Sequence, residues 1–167
     1  MAAGSTYTPL ATTTLGADAA SYTFGSISGS YTDLVLIANH KWASGTRTSF
    51  TIQLNSDTGT NYSDTGLYGN GTSATSGRET GLTYNFNGVI SDQWQAMTFN
   101  FLNYSNTTTY KTFLSRGNSL GTTAASDVNA MVHLWRSTAA ITSIKLAPAS
   151  GNILAGSSYT LYGIAAA

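Results

Sequence analysis

Along most of this chain apolar side chains recur at every second residue, a spacing that fits a pleated strand and not a helix. "TSFTIQLN" (48–55) shows it cleanly: Phe50, Ile52 and Leu54 share one face, and Thr51, Gln53 and Asn55 share the other. "QAMTFNFLNY" (95–104) groups Met97, Phe99 and Phe101, and "NAMVHLWRS" (129–137) sets Ala130, Val132 and Leu134 against Met131, His133 and Trp135. "SYTFGSI" (21–27) aims Tyr22, Phe24 and Ile27 at a core, and "LTYNFNGVI" (82–90) aligns Leu82, Tyr84 and Phe86. "TDLVLIANHKW" (32–42) is more continuously apolar, as in a strand covered on both faces. "TYKTFLSRG" (109–117) follows its predecessor across "SNTT", a polar connector of hairpin length. "ITSIKLAP" (141–148) and "SSYTLYGI" (157–164) complete the series. No segment sustains a 3.6-residue period over three turns. The reading is all-β: an antiparallel β-sandwich of jelly-roll type with about nine strands, forming one domain over 1–167. Residues 1–6 read as a flexible N-terminal arm, and 55–78 as one long inter-strand loop.

Composition narrows what such a sandwich can do. Only 8% of residues are charged and the net charge is zero, where about 25% charged is usual. The chain is still 41% hydrophobic and 11% aromatic, enough for a packed core in 167 residues. A neutral chain has no long-range attraction for nucleic acid or an anionic membrane. It also resists association weakly, and contacts made with so few charges depend little on salt. The longest apolar run, "LVLIA" (34–38), is far too short for a bilayer. "MAAGSTYTPL" lacks the basic stretch and apolar run of a secretory signal.

Catalytic constellations are sparse. There is no cysteine, which removes disulfides, zinc-thiolate sites and thiol nucleophiles. "GSISG" (25–29) has Ile27 where a hydrolase elbow needs serine. His40 and His133 both lie inside strand patterns, as histidines hydrogen-bonded within a sandwich do, and no spacing marks a base for a serine. The carboxylates are Asp18, Asp33, Asp57, Asp64, Glu79, Asp92 and Asp127, mostly beside turns, where aspartate bonds its own backbone. "GNGTSATSG" lacks the lysine of a phosphate loop. Asp57, Asn61 and Asp64 offer oxygens for calcium, but "DTGTNYSDTGLY" has neither the alternating acids nor the terminal bidentate glutamate. The expectation is no catalysis, no cofactor and no metal.

The segment "LNSDTGTNYSDTGLYGNGTSATSGR" (54–78) remains the most distinctive. A structureless connection of that length is usually functional. Tyr62 and Tyr68 stand among Gly, Ser and Asn, a mixture of rigid aromatic and adaptable polar groups suited to recognition. With Arg78 and with Trp94, which follows the turn-like "SDQ", they are the candidate contacts to a partner chain or a sugar ring. The alternative is that the tyrosines pack on their own sandwich. The loop is expected to be held by contacts, whether to its own domain or to a neighbour.

Three blocks carry a resemblance: "YTPLATTTLGADAASYTFGSISGSYTDLVLIAN" (7–39), "FTIQLNSDTGTNYSDTGLYGNGTSATSGR" (50–78) and "ILAGSSYTLYGI" (153–164). Together they resemble a family of small virion structural proteins of tailed bacteriophages, cyanophages among them. The resemblance implies a non-enzymatic jelly-roll or β-sandwich component of the particle, assembled as a homotrimer and located in the virion. It implies as partners the major capsid protein or other virion proteins, with cell-surface glycan as the alternative target of a fibre tip. Nucleic acid and membrane insertion are not expected. No heptad or shaft repeat accompanies the strands, which favours a capsid decoration (cement) protein over a fibre tip.

Overall fold

The computed structural model describes residues 6–42, 48–90, 92–119 and 127–165; the side chains of 87–90 and 119 lie outside the description. Twelve strands are present among the described residues. They are β1 (Tyr7–Thr14), β2 (Tyr22–Phe24), β3 (Asp33–His40), β4 (Thr48–Leu54), β5 (Tyr62–Gly69) and β6 (Ala74–Leu82), then β7 (Asn85–Ile90), β8 (Gln95–Phe101), β9 (Lys111–Ser119), β10 (Asp127–Trp135), β11 (Ile144–Pro148) and β12 (Ser158–Ile164). An eight-stranded sheet runs β1-β12-β3-β8-β9-β10-β5-β6, and a four-stranded sheet runs β2-β11-β4-β7. Every ladder is antiparallel. If β5–β6 and β8–β9–β10 are each counted as one excursion, the chain alternates between the two sheets: β1 large, β2 small, β3 large, β4 small, β5–β6 large, β7 small, β8–β10 large, β11 small and β12 large.

The two sheets stack through the alternation that the sequence shows. Phe50, Ile52, Leu54, Ile144 and Leu146 from the small sheet are buried against Leu34, Leu36, Phe99, Phe101 and Leu161 from the large one. Phe50 and Phe99 meet across the layers at 6.4 Å, and Tyr22 stacks on Tyr159 at 5.6 Å. Large side chains need small neighbours: Tyr31 lies so close over Gly163 that a Cβ there would sit 2.5 Å from its ring.

Several expectations are corrected. Twelve strands stand where about nine were expected, the additions being β1, β5 and β6. The span 55–78 is not one loop: after a connection over 55–61, most of it forms the β5–β6 hairpin. Its turn is built on Asn70, whose side-chain oxygen accepts from the N–H groups of Thr72 and Ser73, while Gly71 takes φ +83°. Inward positions of β5 are Tyr62, Asp64, Gly66 and Tyr68, and β6 is exposed at eight of its nine positions. Neither strand therefore shows an apolar period. On β3 the outer face is covered only in part: Val35 is buried, but Ile37 is 45% exposed. On β7 the polar Asn85, not Tyr84 or Phe86, is fully buried. Residues 1–5 of the expected arm lie outside the described residues.

The connection 55–61 is fastened to its own sandwich. The Tyr62 hydroxyl donates toward the carbonyls of Leu54 and Asp57 and accepts from the Leu54 N–H. Asn55 donates to the Ala140 carbonyl and accepts from the N–H groups of Thr142 and Ser143. Asp57 accepts from Trp135 Nε1 at 2.7 Å, from Asn61 Nδ2 and from the Gly59 N–H. Burial pushes the Asp57 carboxyl up, but these three donors outweigh it and hold the group below its ordinary value.

His40 makes the core sensitive to acid. It is fully buried, stacks on Phe50 at 4.3 Å, and neither ring nitrogen meets a protein partner. Burial lowers its pKa from 6.5 to about 3. The unfolded chain therefore takes up a proton near 6.5 that the folded chain refuses until about 3. Stability from this site is complete above 6.5 and declines as pH falls toward 3. His40→Phe, which retains a stacking ring and cannot be charged, will lose less stability between pH 7.5 and pH 4 than the parent in urea melts. Parallel losses in the two proteins would exclude His40 as the source.

Candidate functional site

Adjacent strands β9, β10 and β5 bring together three polar side chains far apart in sequence. Register places His133 opposite Asp64 on one side and Phe113 on the other, with Ser115 two residues further along β9. All three polar groups point inward because strand alternation puts them in phase with Met131 and Trp135. His133 Nδ1 lies 2.6 Å from Asp64 Oδ1, and Ser115 Oγ lies 2.7 Å from His133 Nε2. Asp64 Oδ1 also accepts from Asn85 Nδ2 at 2.5 Å, and Oδ2 accepts from the Phe86 N–H at 2.8 Å. An ionised carboxylate only accepts, so Nδ1 carries the imidazole proton and Nε2 accepts from the Ser115 hydroxyl. That is the donor order of a Ser–His–Asp triad.

The surroundings differ from those of a hydrolase. His133 is fully buried and stacked on Phe113 at 4.4 Å, and Ser115 is 4% exposed. The adjoining cavity, of ≈ 180 Å³, is lined by Asp64, Tyr68, Arg78, Glu79, Phe86 and Met131. It opens at the carboxylate end of the chain of hydrogen bonds and reaches neither Ser115 nor His133. A nucleophile needs a reacting carbon about 3 Å from its oxygen; Ser115 is almost wholly buried, although it is among the residues that border a second, broader depression of ≈ 730 Å³. The arrangement bonds β9, β10 and β5 of the large sheet to Asn85 and Phe86 on β7 of the small one.

The four sequence candidates are scattered. Tyr62 is fully buried, and burial pushes its hydroxyl up to about 12. It is a core residue and no contact group, which removes it from the expected surface. Tyr68 lies down on its own sheet: its hydroxyl points at Met131 Sδ, and a Cβ on Gly66 would stand 2.7 Å from that hydroxyl. Its ring edge still borders the cavity beside Arg78. Trp94 is 47% exposed and packs over Gly156, not beside the other three in any cavity described. The calcium oxygens are engaged elsewhere: Asp57 accepts from Asn61 and from Trp135, while Asp64 bonds His133. No group of three potential metal ligands occurs among the described residues, nor any helix long and apolar enough to cross a membrane.

Sequence reasoning did not find Ser115, His133 and Asp64 as a set. Spacing puts His133 on one face with Met131 and Trp135 but does not say which face is inward, and the strand carrying Asp64 has serine, aspartate and glycine where a core strand would be apolar. No protein-family model matches the chain, and no curated protein matches it.

Asp64→Ala leaves the buried donors of His133, Asn85 and Phe86 without their acceptor, and at about 1–3 kcal/mol for an unsatisfied buried group it will destabilise the protein by about 3 kcal/mol or more. Ser115→Ala removes one neutral bond and will cost about 1–3 kcal/mol. The losses from Asp64→Ala and His133→Ala will not add, because both remove the same contact. Denaturant melts measure all of these. A cost for Asp64→Ala no larger than for the exposed Thr65→Ala would refute the bracing role.

Proposed function

We propose that this chain is a non-enzymatic structural protein of a bacteriophage particle, a decoration protein that binds and stabilises the assembled head. The observation that carries this reading is the overhang of the large sheet. Eight strands face four, and the outermost, β6, is exposed on both faces along almost its whole length. A strand that buries nothing on either side gains little to offset its ordering entropy, and it leaves a row of backbone groups open at the sheet edge. Such an element is explained by a partner that covers it.

Three further observations support the reading. The orders β1-β12-β3-β8 and β2-β11-β4-β7 are those we read as a jelly roll, the architecture of many capsid-associated domains, with hairpins β5–β6 and β9–β10 added to one sheet. The resemblance of 7–39, 50–78 and 153–164 to phage virion proteins points the same way. In the triad His133 is fully buried and Ser115 only 4% exposed, and such burial favours structure over catalysis. In this reading the unit is a homotrimer in the virion, and its partner is the major capsid protein. It acts by mass action: a protein that binds only the assembled lattice stabilises that lattice.

A receptor-binding fibre tip is the second reading, and the cavity lined by Tyr68, Phe86, Arg78 and Glu79 is the observation in its favour. Quantitative mass spectrometry of purified particles separates the two. Decoration requires a high copy number in fixed ratio to the capsid protein, and a few copies per particle would exclude it. Glycan-array binding abolished by Tyr68→Ala would favour the tip. A fluorophosphonate probe will leave Ser115 unlabelled in the folded protein, and stoichiometric labelling there would overturn the non-enzymatic assignment.

A further inference from the structure

The outward face of the large sheet carries exposed apolar side chains on β5, β9 and β10, with Ile37 of β3 beyond the polar Thr98 and Asn100 of β8. Register aligns Leu67 on β5, Ala130 on β10, Arg116 on β9, Thr98 on β8 and Ile37 on β3 in one row. The next row holds Thr65, Val132, Leu114, Asn100 and Val35. Leu67 is 63% exposed, Val128 65%, Val132 50%, Leu114 45% and Ile37 45%. Leu67, Leu114 and Val132, together with Arg116, border a broad depression of ≈ 730 Å³. Contiguous apolar surface of this kind marks an interaction site, where singly scattered apolar residues do not.

The charges on this face are of one sign. Arg116 lies inside the apolar rows, and Arg78 flanks them on β6, opposite Thr65. No described residue on the outward side of β6, β5, β10, β9 or β8 is acidic, and neither guanidinium has a carboxylate partner among the described residues. Glu79, the neighbour of Arg78, belongs to the opposite side, across from Asp64. A twofold contact between two such faces would bring arginines toward arginines across a desolvated surface, a like-charge juxtaposition that specific interfaces avoid. The same face accepts a surface that offers apolar groups with carboxylates among them, because arginine binds a carboxylate through paired N–H groups.

We infer that the outward face of strands β9, β10 and β5 docks an apolar, carboxylate-bearing surface of another protein of the particle, with Arg116 at its centre and Arg78 at its rim. This rests on the decoration reading and names the surface and chemistry through which it operates.

The test uses purified particles stripped of this chain, to which the intact protein is added back and co-sedimented. Variants are Arg116→Glu, Arg116→Lys and the pair Leu67→Thr with Val132→Thr, which retain strand-compatible side chains. Lys145→Glu, outward on the other sheet, is the control. Melting temperatures near the parent's establish that each is folded. Arg116→Glu and the double variant will each weaken rebinding by about tenfold or more, Arg116→Lys by less, and Lys145→Glu not at all. Rebinding of Arg116→Glu and the double variant at parental affinity would overturn this inference and leave the decoration reading standing. Failure of the parent to rebind would overturn both. Parental trimers or dimers that dissociate on Leu67→Thr, seen by sedimentation, would assign the face to a second copy and also overturn it.

Discussion

The bond between Asp64 and His133 is the constraint on which the outer half of the large sheet depends. Hairpins β5–β6 and β9–β10 extend that sheet beyond the width of its partner, so apolar stacking holds only part of them. Asp64 accepts hydrogen bonds from His133, Asn85 and the Phe86 N–H, and His133 in turn accepts one from Ser115. A buried carboxylate is costly unless its lone pairs are met, and here the donors come from both sheets. The same requirement that makes the charge tolerable locks β7 onto β5, β10 and β9. The network thus braces the two sheets while having the donor order of a Ser–His–Asp triad, and it is buried.

From that brace follows the shape of the surface. The sandwich proper buries Phe50, Ile52, Leu54, Phe99 and Phe101 and needs no help. The added hairpins instead present Leu67, Val128 and Val132 outward, and leave β6 open on both sides. In a chain with 8% charged residues, little electrostatic repulsion opposes covering these areas. The few charges that do stand there, Arg78 and Arg116, select what kind of surface can cover them.

Much of the sandwich was legible because its core strands obey period two with ordinary apolar residues. Phe50, Ile52 and Leu54, and Met97, Phe99 and Phe101, face inward as their spacing requires. The SNTT connector does join two paired strands, β8 and β9. The β5–β6 hairpin was illegible for a physical reason: its inward residues include Asp64 and Gly66, and most of β6 buries nothing. Period two cannot reveal a strand whose inner face is polar. The candidate aromatics show the converse limit. Tyr62 and Tyr68 sit in similar polar company, yet one is wholly core and the other only partly covered.

By itself the sequence determined an all-β sandwich, the inner faces of its main strands, and a neutral surface with no thiol chemistry. Those follow from composition and from spacing within single segments. The tertiary structure alone decided the division into eight and four strands, the pairing of Asp64 with His133 and Ser115, and the assembly of an outward apolar face around Arg116. Each of these joins residues separated by tens of positions through strand register, and register is a property of neighbouring strands that no single stretch of sequence contains.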